Sequence, residues 1–103
     1  MVQSWAAKLI EEYRTSDPRL LAERLGIEIR EEGSGQIGGL KRYSEYREKP
    51  STIIIYRDQI GPAHAERIAH ELFHHLEKIK LGRRLPGSEA GAAEFSRIFT
   101  FGD

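Results

Sequence analysis

Two short apolar-periodic segments at the start, a β-branched run at residues 52–56 and a long helical pattern at residues 63–81 together predict an α+β domain. The expected order is α-α-β-β-β-α-α, a small antiparallel sheet packed with about four helices. At 103 residues the chain makes a single domain, residues 1–103, large enough for a core without disulfides or an obligatory metal staple.

Residues 4–14 read as a first amphipathic helix, with Trp5, Leu9, Ile10 and Tyr13 along one stripe. Ser16-Asp17-Pro18 supplies a cap followed by proline at the first helical position, and Leu20, Leu21 and Leu25 carry a second short helix that Gly26 ends. Ile27 to Arg30 alternates apolar with polar, as a half-buried strand should. Gly33, Gly35, Gly38 and Gly39 make the next stretch turn-like, with a weak strand expected through Leu40 to Tyr43. After Pro50, Thr52 to Tyr56 (TIIIY) is the clearest strand. Pro62 sits where a helix starts and Gly82 where one stops; between them Ala65, Ile68, Ala69, Leu72, Leu76 and Ile79 keep the spacing of a buried face. Pro86 and Gly87 lie in a loop, and Ser88 can cap a last helix from Glu89 to about Phe99.

The composition excludes several classes. Sixteen basic and sixteen acidic residues balance, which argues against a nucleic-acid binder with a broad basic surface. With no Cys there is no disulfide framework, thiolate zinc site or cysteine nucleophile. Any metal must be held by His and carboxylate. Charges come too early for a signal-peptide core and no apolar run approaches membrane length, so a cytoplasmic location and no membrane partner are the expectation.

Residues 70–74 read His70-Glu71-Leu72-Phe73-His74, an H-E-x-x-H pentapeptide inside the strongest helical pattern. Helical residues four apart are rotated by about 40° and displaced by about 6 Å, so both imidazoles point the same way and can share one ion. Glu71 lies to one side of the pair, too far round to be a third ligand but placed to take the proton of an attacking water. That is the pattern of a zinc peptidase, with Zn2+ as cofactor and Glu71 as general base. His70 and His74 fall away from the apolar arc. They lie either on a solvated face or on the floor of a cleft, and the Glu between them favours the cleft. His75, about 100° from His74, cannot complete the same site and reads as a surface or packing histidine; His64 reads as exposed.

A catalytic zinc takes three protein ligands and leaves one position open. Glu89, opening the next helix fifteen residues past His74, is the choice for the third. Small Ala92, Ala93 and Ser96 on its side of that helix allow close packing. Glu94, rotated by about 140°, is the competitor, and Asp58, His64 and Glu66 are the remaining candidates. The plainer account of Glu89 is an acidic residue favoured at a helix N-terminus.

Four stretches in order, SDPRLLAERLGIEI, STIIIYRD, RIAHELFHHL and EAGAAEFS, resemble the ImmA/IrrE family of zinc-dependent metallopeptidases. The resemblance implies a minimal zincin-like fold, with His70 and His74 as zinc ligands, Glu71 as catalytic base and Glu89 as third ligand. It implies peptide-bond hydrolysis in a protein substrate such as a helix-turn-helix transcriptional repressor, since several members cleave one or cause its cleavage. Phe73 stands where that family usually has Gly before the second His, and Gly91 where it often has an acidic residue. For strand-wise docking of a substrate, Thr52 to Tyr56 is the expected sheet edge. Two other readings compete. One is a non-catalytic metal-binding regulatory module acting by protein–protein contact. The other takes DPRLLAERLGI as part of a helix-turn-helix, but the next segment reads as strand and turn rather than recognition helix.

Overall fold

The computed structural model describes residues 2–33, 36–37, 40–41, 43–58, 64–83 and 86–100. Along them run helices α1 (Val2–Tyr13) and α2 (Pro18–Arg24), strands β1 (Glu28–Glu32), β2 (Gln36–Ile37), β3 (Leu40–Lys41), β4 (Ser44–Arg47) and β5 (Thr52–Tyr56), and helices α3 (His64–Leu81) and α4 (Ser88–Thr100). The fold is α+β.

Local chemistry sets the helix ends. Asp17 caps α2 by accepting from the Arg19 N–H at 3.0 Å, and Pro18 follows at the position where a missing N–H leaves nothing unpaired. At its far end the Ile27 N–H bonds to Ala22 O at 2.9 Å and the Gly26 N–H to Glu23 O at 3.1 Å. Both bonds require the left-handed turn at Gly26 (φ 78°), which a glycine takes without a Cβ clash. The chain leaves this turn directly into β1, so a strand occupies the place a recognition helix would need. Pro62, read as the start of α3, and Gly35, Gly38 and Gly39 of the turn-like stretch lie outside the described residues.

The larger sheet has the order β1-β5-β4, and β2 pairs with β3 in a separate antiparallel hairpin. It is mixed rather than antiparallel: β4 runs antiparallel to β5, whereas β1 pairs with β5 in parallel, Glu28 opposite Thr52 through Glu32 opposite Tyr56. A parallel pair needs partners far apart in the chain, and no local periodicity reports it. Of the strand expected at Leu40 to Tyr43, Leu40–Lys41 form β3, Arg42 lies outside the described residues and Tyr43 is not in a strand; β4 follows where no strand is expected. β5 is the central strand, buried along all five residues, so it is not a free edge for substrate.

Ile53 and Ile55 of β5 face α3 and join Ile68, Ala69, Leu72 and Leu76 in the core, closed by Trp5 and Leu9 of α1, Leu21 of α2 and Phe95 of α4. The predicted apolar arc of α3 is buried only in its middle; Ala65 and Ile79 near its ends are exposed. Phe73 packs between α1 and α4, its ring 5.4 Å from Trp5 and 5.5 Å from Phe95. The helix is therefore covered by the sheet on one side and by other helices on the other. No helix among the described residues is long and apolar enough to cross a membrane.

Candidate metal centre

His70 and His74 lie one turn apart on α3, their ring centroids 5.2 Å apart, and the first turn of α4 brings Glu89 across to them. One ligand atom from each of His70, His74 and Glu89 falls within 4.8 Å of the others. His70 Nε2 donates to Glu89 Oε2 at 2.8 Å, and His74 Nε2 stands 3.3 Å from Glu89 Oε1. A tetrahedral ion with bonds of about 2.0–2.1 Å sets its ligand atoms about 3.3 Å apart, the same scale as these separations.

The three residues differ sharply in exposure. The Glu89 side chain is 70% exposed, that of His70 is 26% exposed and that of His74 only 1%. His74 Nε2 is buried and makes no hydrogen bond, despite its nearness to Glu89. A buried ring nitrogen without a partner is unfavourable by roughly 1–3 kcal/mol. A buried ring nitrogen facing a second imidazole and a carboxylate is a donor set that suits a divalent ion of zinc's preferences, so the residues present fit such an ion.

The other nitrogen of His74 is fully engaged. Nδ1 bonds to Glu77 Oε1 at 2.9 Å and contacts Ser88 Oγ at 3.1 Å, while the Ser88 hydroxyl donates to the same Glu77 oxygen at 2.6 Å. Ser88 does not act as the expected cap. The Gly91 N–H bonds to Gly87 O, which puts the cap at Gly87, and the Ser88 hydroxyl turns inward to Glu77.

Glu71 is buried beside the histidines and accepts from the Ser44 hydroxyl of β4 at 2.7 Å. Arg67, one turn earlier on α3, donates to Tyr56 O at 3.0 Å and Tyr43 O at 3.4 Å, tying the end of β5 and the approach to β4 to the helix. Its guanidinium also stands 5.5 Å from the Tyr43 ring. Between β4, α3 and α4 opens a cleft of about 430 Å³, lined among others by Tyr43, Ser44, Arg67, His70, Glu71 and Glu89. That is large enough for a small ligand or a short peptide segment.

Of the remaining candidates, Glu66 lines this cleft, Glu94 is half-buried outside the three-residue group, and Asp58 is exposed. His64 is exposed and pairs with Glu31 at 3.5 Å. His75 is a packing histidine: buried, with Nδ1 2.8 Å from the Tyr46 hydroxyl. Burial pushes its pKa below the ordinary 6.5, against the opposite pull of Glu48. Tyr56 donates its hydroxyl to Glu45 and is held above the usual phenol value, first by burial and then by that bond. Of the small residues on α4, Ala92 and Ser96 are buried, while Ala93 is exposed along the cleft.

Sequence reasoning passes over Ser44 and Glu77, and reads Ser88 only as a helix cap. Ser44 carries no local signal. Glu77 does, as an acidic residue one turn after a ligand-type histidine, a spacing at which the two side chains meet. No family model matches this chain, and neither curated proteins nor solved structures match it.

Proposed function

We propose that this chain is a zinc-dependent metallopeptidase of zincin-like fold, related to the ImmA/IrrE family that its motifs resemble. The observation that carries the reading is the buried, unpartnered Nε2 of His74, converging with His70 and Glu89 beside the cleft that Glu71 also lines. His70, His74 and Glu89 would hold the ion. Zinc bound there supplies a Lewis acid that makes water more acidic and steadies negative charge developing on a peptide carbonyl oxygen.

The chain's own groups do the rest. Ser44 occupies Glu71 Oε2, which leaves Oε1 to take the proton from the attacking water. Glu71 then delivers that proton to the leaving amine. A substrate strand docks along β4, which has β5 on one side and, among the described residues, no strand on the other. β4 lines the cleft through Ser44, Glu45 and Tyr46, so a segment paired there passes over Glu71 and His70. A helix-turn-helix repressor presenting an extended segment is the proposed substrate class.

Zinc content of protein stripped, reloaded and dialysed tests the site, with Glu89→Ala measured alongside. One zinc per chain, much weakened in the variant, is expected. Glu71→Gln should keep its zinc and lose about 10²–10⁴-fold in peptide hydrolysis. A chain that retains no zinc, or a Glu71→Gln variant with full peptidase activity, rejects the proposal. Zinc binding with biological activity intact in Glu71→Gln would indicate the regulatory module acting by contact.

A further inference from the structure

Glu77 is a carboxylate in the interior, 0% exposed on α3. A buried ionised group is tolerated only where hydrogen bonds replace its water, and a Leu of similar volume would occupy a helix interior without that requirement. It bonds on both sides of the metal centre: to His74, three residues back on the same helix, and to Ser88, the first residue of α4.

We propose that Glu77 is a positioning residue that sets two of the three ligands at once, His74 directly and Glu89 through Ser88. The proposal rests on the metal-site reading above. Proton accounting carries the first half. A carboxylate only accepts, and the single hydroxyl proton of Ser88 already goes to Glu77 Oε1 at 2.6 Å. With Glu77 ionised, the proton between His74 Nδ1 and that oxygen belongs to the imidazole. With Nδ1 protonated, the neutral ring has its lone pair on Nε2, the buried atom facing His70 and Glu89. A carboxylate behind a ligand histidine also raises the ring's basicity toward the ion.

Covalent connection carries the second half. Ser88 precedes Glu89 directly, and its hydroxyl anchors the first turn of α4 to the same oxygen that orients His74. The Glu89 side chain is 70% exposed, and from that anchored turn its carboxylate reaches His70 at 2.8 Å and His74 at 3.3 Å. Because one oxygen atom serves both, the two ligands keep their separation when the helices shift. Ordinary capping of α4 does not account for the arrangement, since the Gly91 N–H bonds to Gly87 O and not to Ser88.

The test uses the full chain, with zinc alone as the probe. In the unaltered, zinc-free protein, long-range nitrogen–proton NMR of the neutral ring should show His74 protonated at Nδ1. Glu77→Gln should bind zinc about ten- to a hundredfold more weakly, and Ser88→Ala should weaken it by a smaller factor, both with an unchanged fold by circular dichroism. A His74 protonated at Nε2, or both variants binding zinc as tightly as the unaltered chain, overturns the proposal. If Glu77→Gln does not fold, the tautomer and Ser88→Ala decide. If the unaltered chain itself holds no zinc, the metal-site reading falls and takes this one with it. That outcome is distinct from tight binding by all three proteins.

Discussion

β4 and β5 are bonded side by side, Ser44 opposite Ile55 and Arg47 opposite Thr52, yet they are built from opposite chemistry. β5 turns Ile53 and Ile55 onto α3 and makes core. β4 turns Ser44 and Tyr46 onto the same helix and makes hydrogen bonds, to Glu71 and to His75. One strand holds the helix by area, the other by direction. The difference teaches where the candidate site can be altered without unfolding the chain: the strand with little apolar surface is the one that touches it.

Substitutions along the two strands sharpen that division. The largest effect on stability is expected at β5, where Ile55→Ala leaves a cavity worth about 2–5 kcal/mol, read as a lower urea midpoint. Zinc content of the protein that remains folded should not change. A parallel loss of zinc in the folded fraction would break the division. Next comes Ser44→Ala, which takes away one hydrogen bond to a charged group, about 1.5–3 kcal/mol. Under the proposed mechanism this lowers kcat roughly tenfold to a hundredfold with zinc stoichiometry unaltered. An unchanged kcat would show that Glu71 needs no help from β4. The smallest effect belongs to Tyr46→Phe, which removes the hydroxyl contacts to His75 Nδ1 and Ser51 Oγ. A loss of about 0.5–1.5 kcal/mol in urea at pH 8, with zinc content and kcat preserved, is expected.

The same two strands explain what could be read in advance. TIIIY announces itself, and so do Asp17-Pro18 at the start of α2 and Gly26 at its end, because each acts through its nearest neighbours. The pentapeptide at 70–74 is legible for the same reason: helix geometry alone puts His70 and His74 on one side. β4 is not, since its sequence SEYR alternates small polar, acidic, aromatic and basic residues, and hydrogen bonding to α3 takes the place of an apolar pattern. The parallel pairing of β1 with β5 joins residues more than twenty positions apart and leaves no local trace. The burial of His74 was hidden because periodicity records apolar faces, and this face is covered only when α4 folds across it. Glu77 looks like a solvated residue near a helix end until Ser88 arrives to pair with it. Convergence of Glu89, rather than Glu94, on the histidines likewise depends on how α4 meets α3.

Residues 71–77 of α3 are buried without a break, so over nearly two turns of that helix only Glu71 borders the cleft. A rod gripped all round has no direction in which to swing. His74 lies inside this gripped stretch, and His70 stands one residue before it, where the cleft opens. One side of the cleft is thus a fixed post, and the buried imidazole of His74 is set into it.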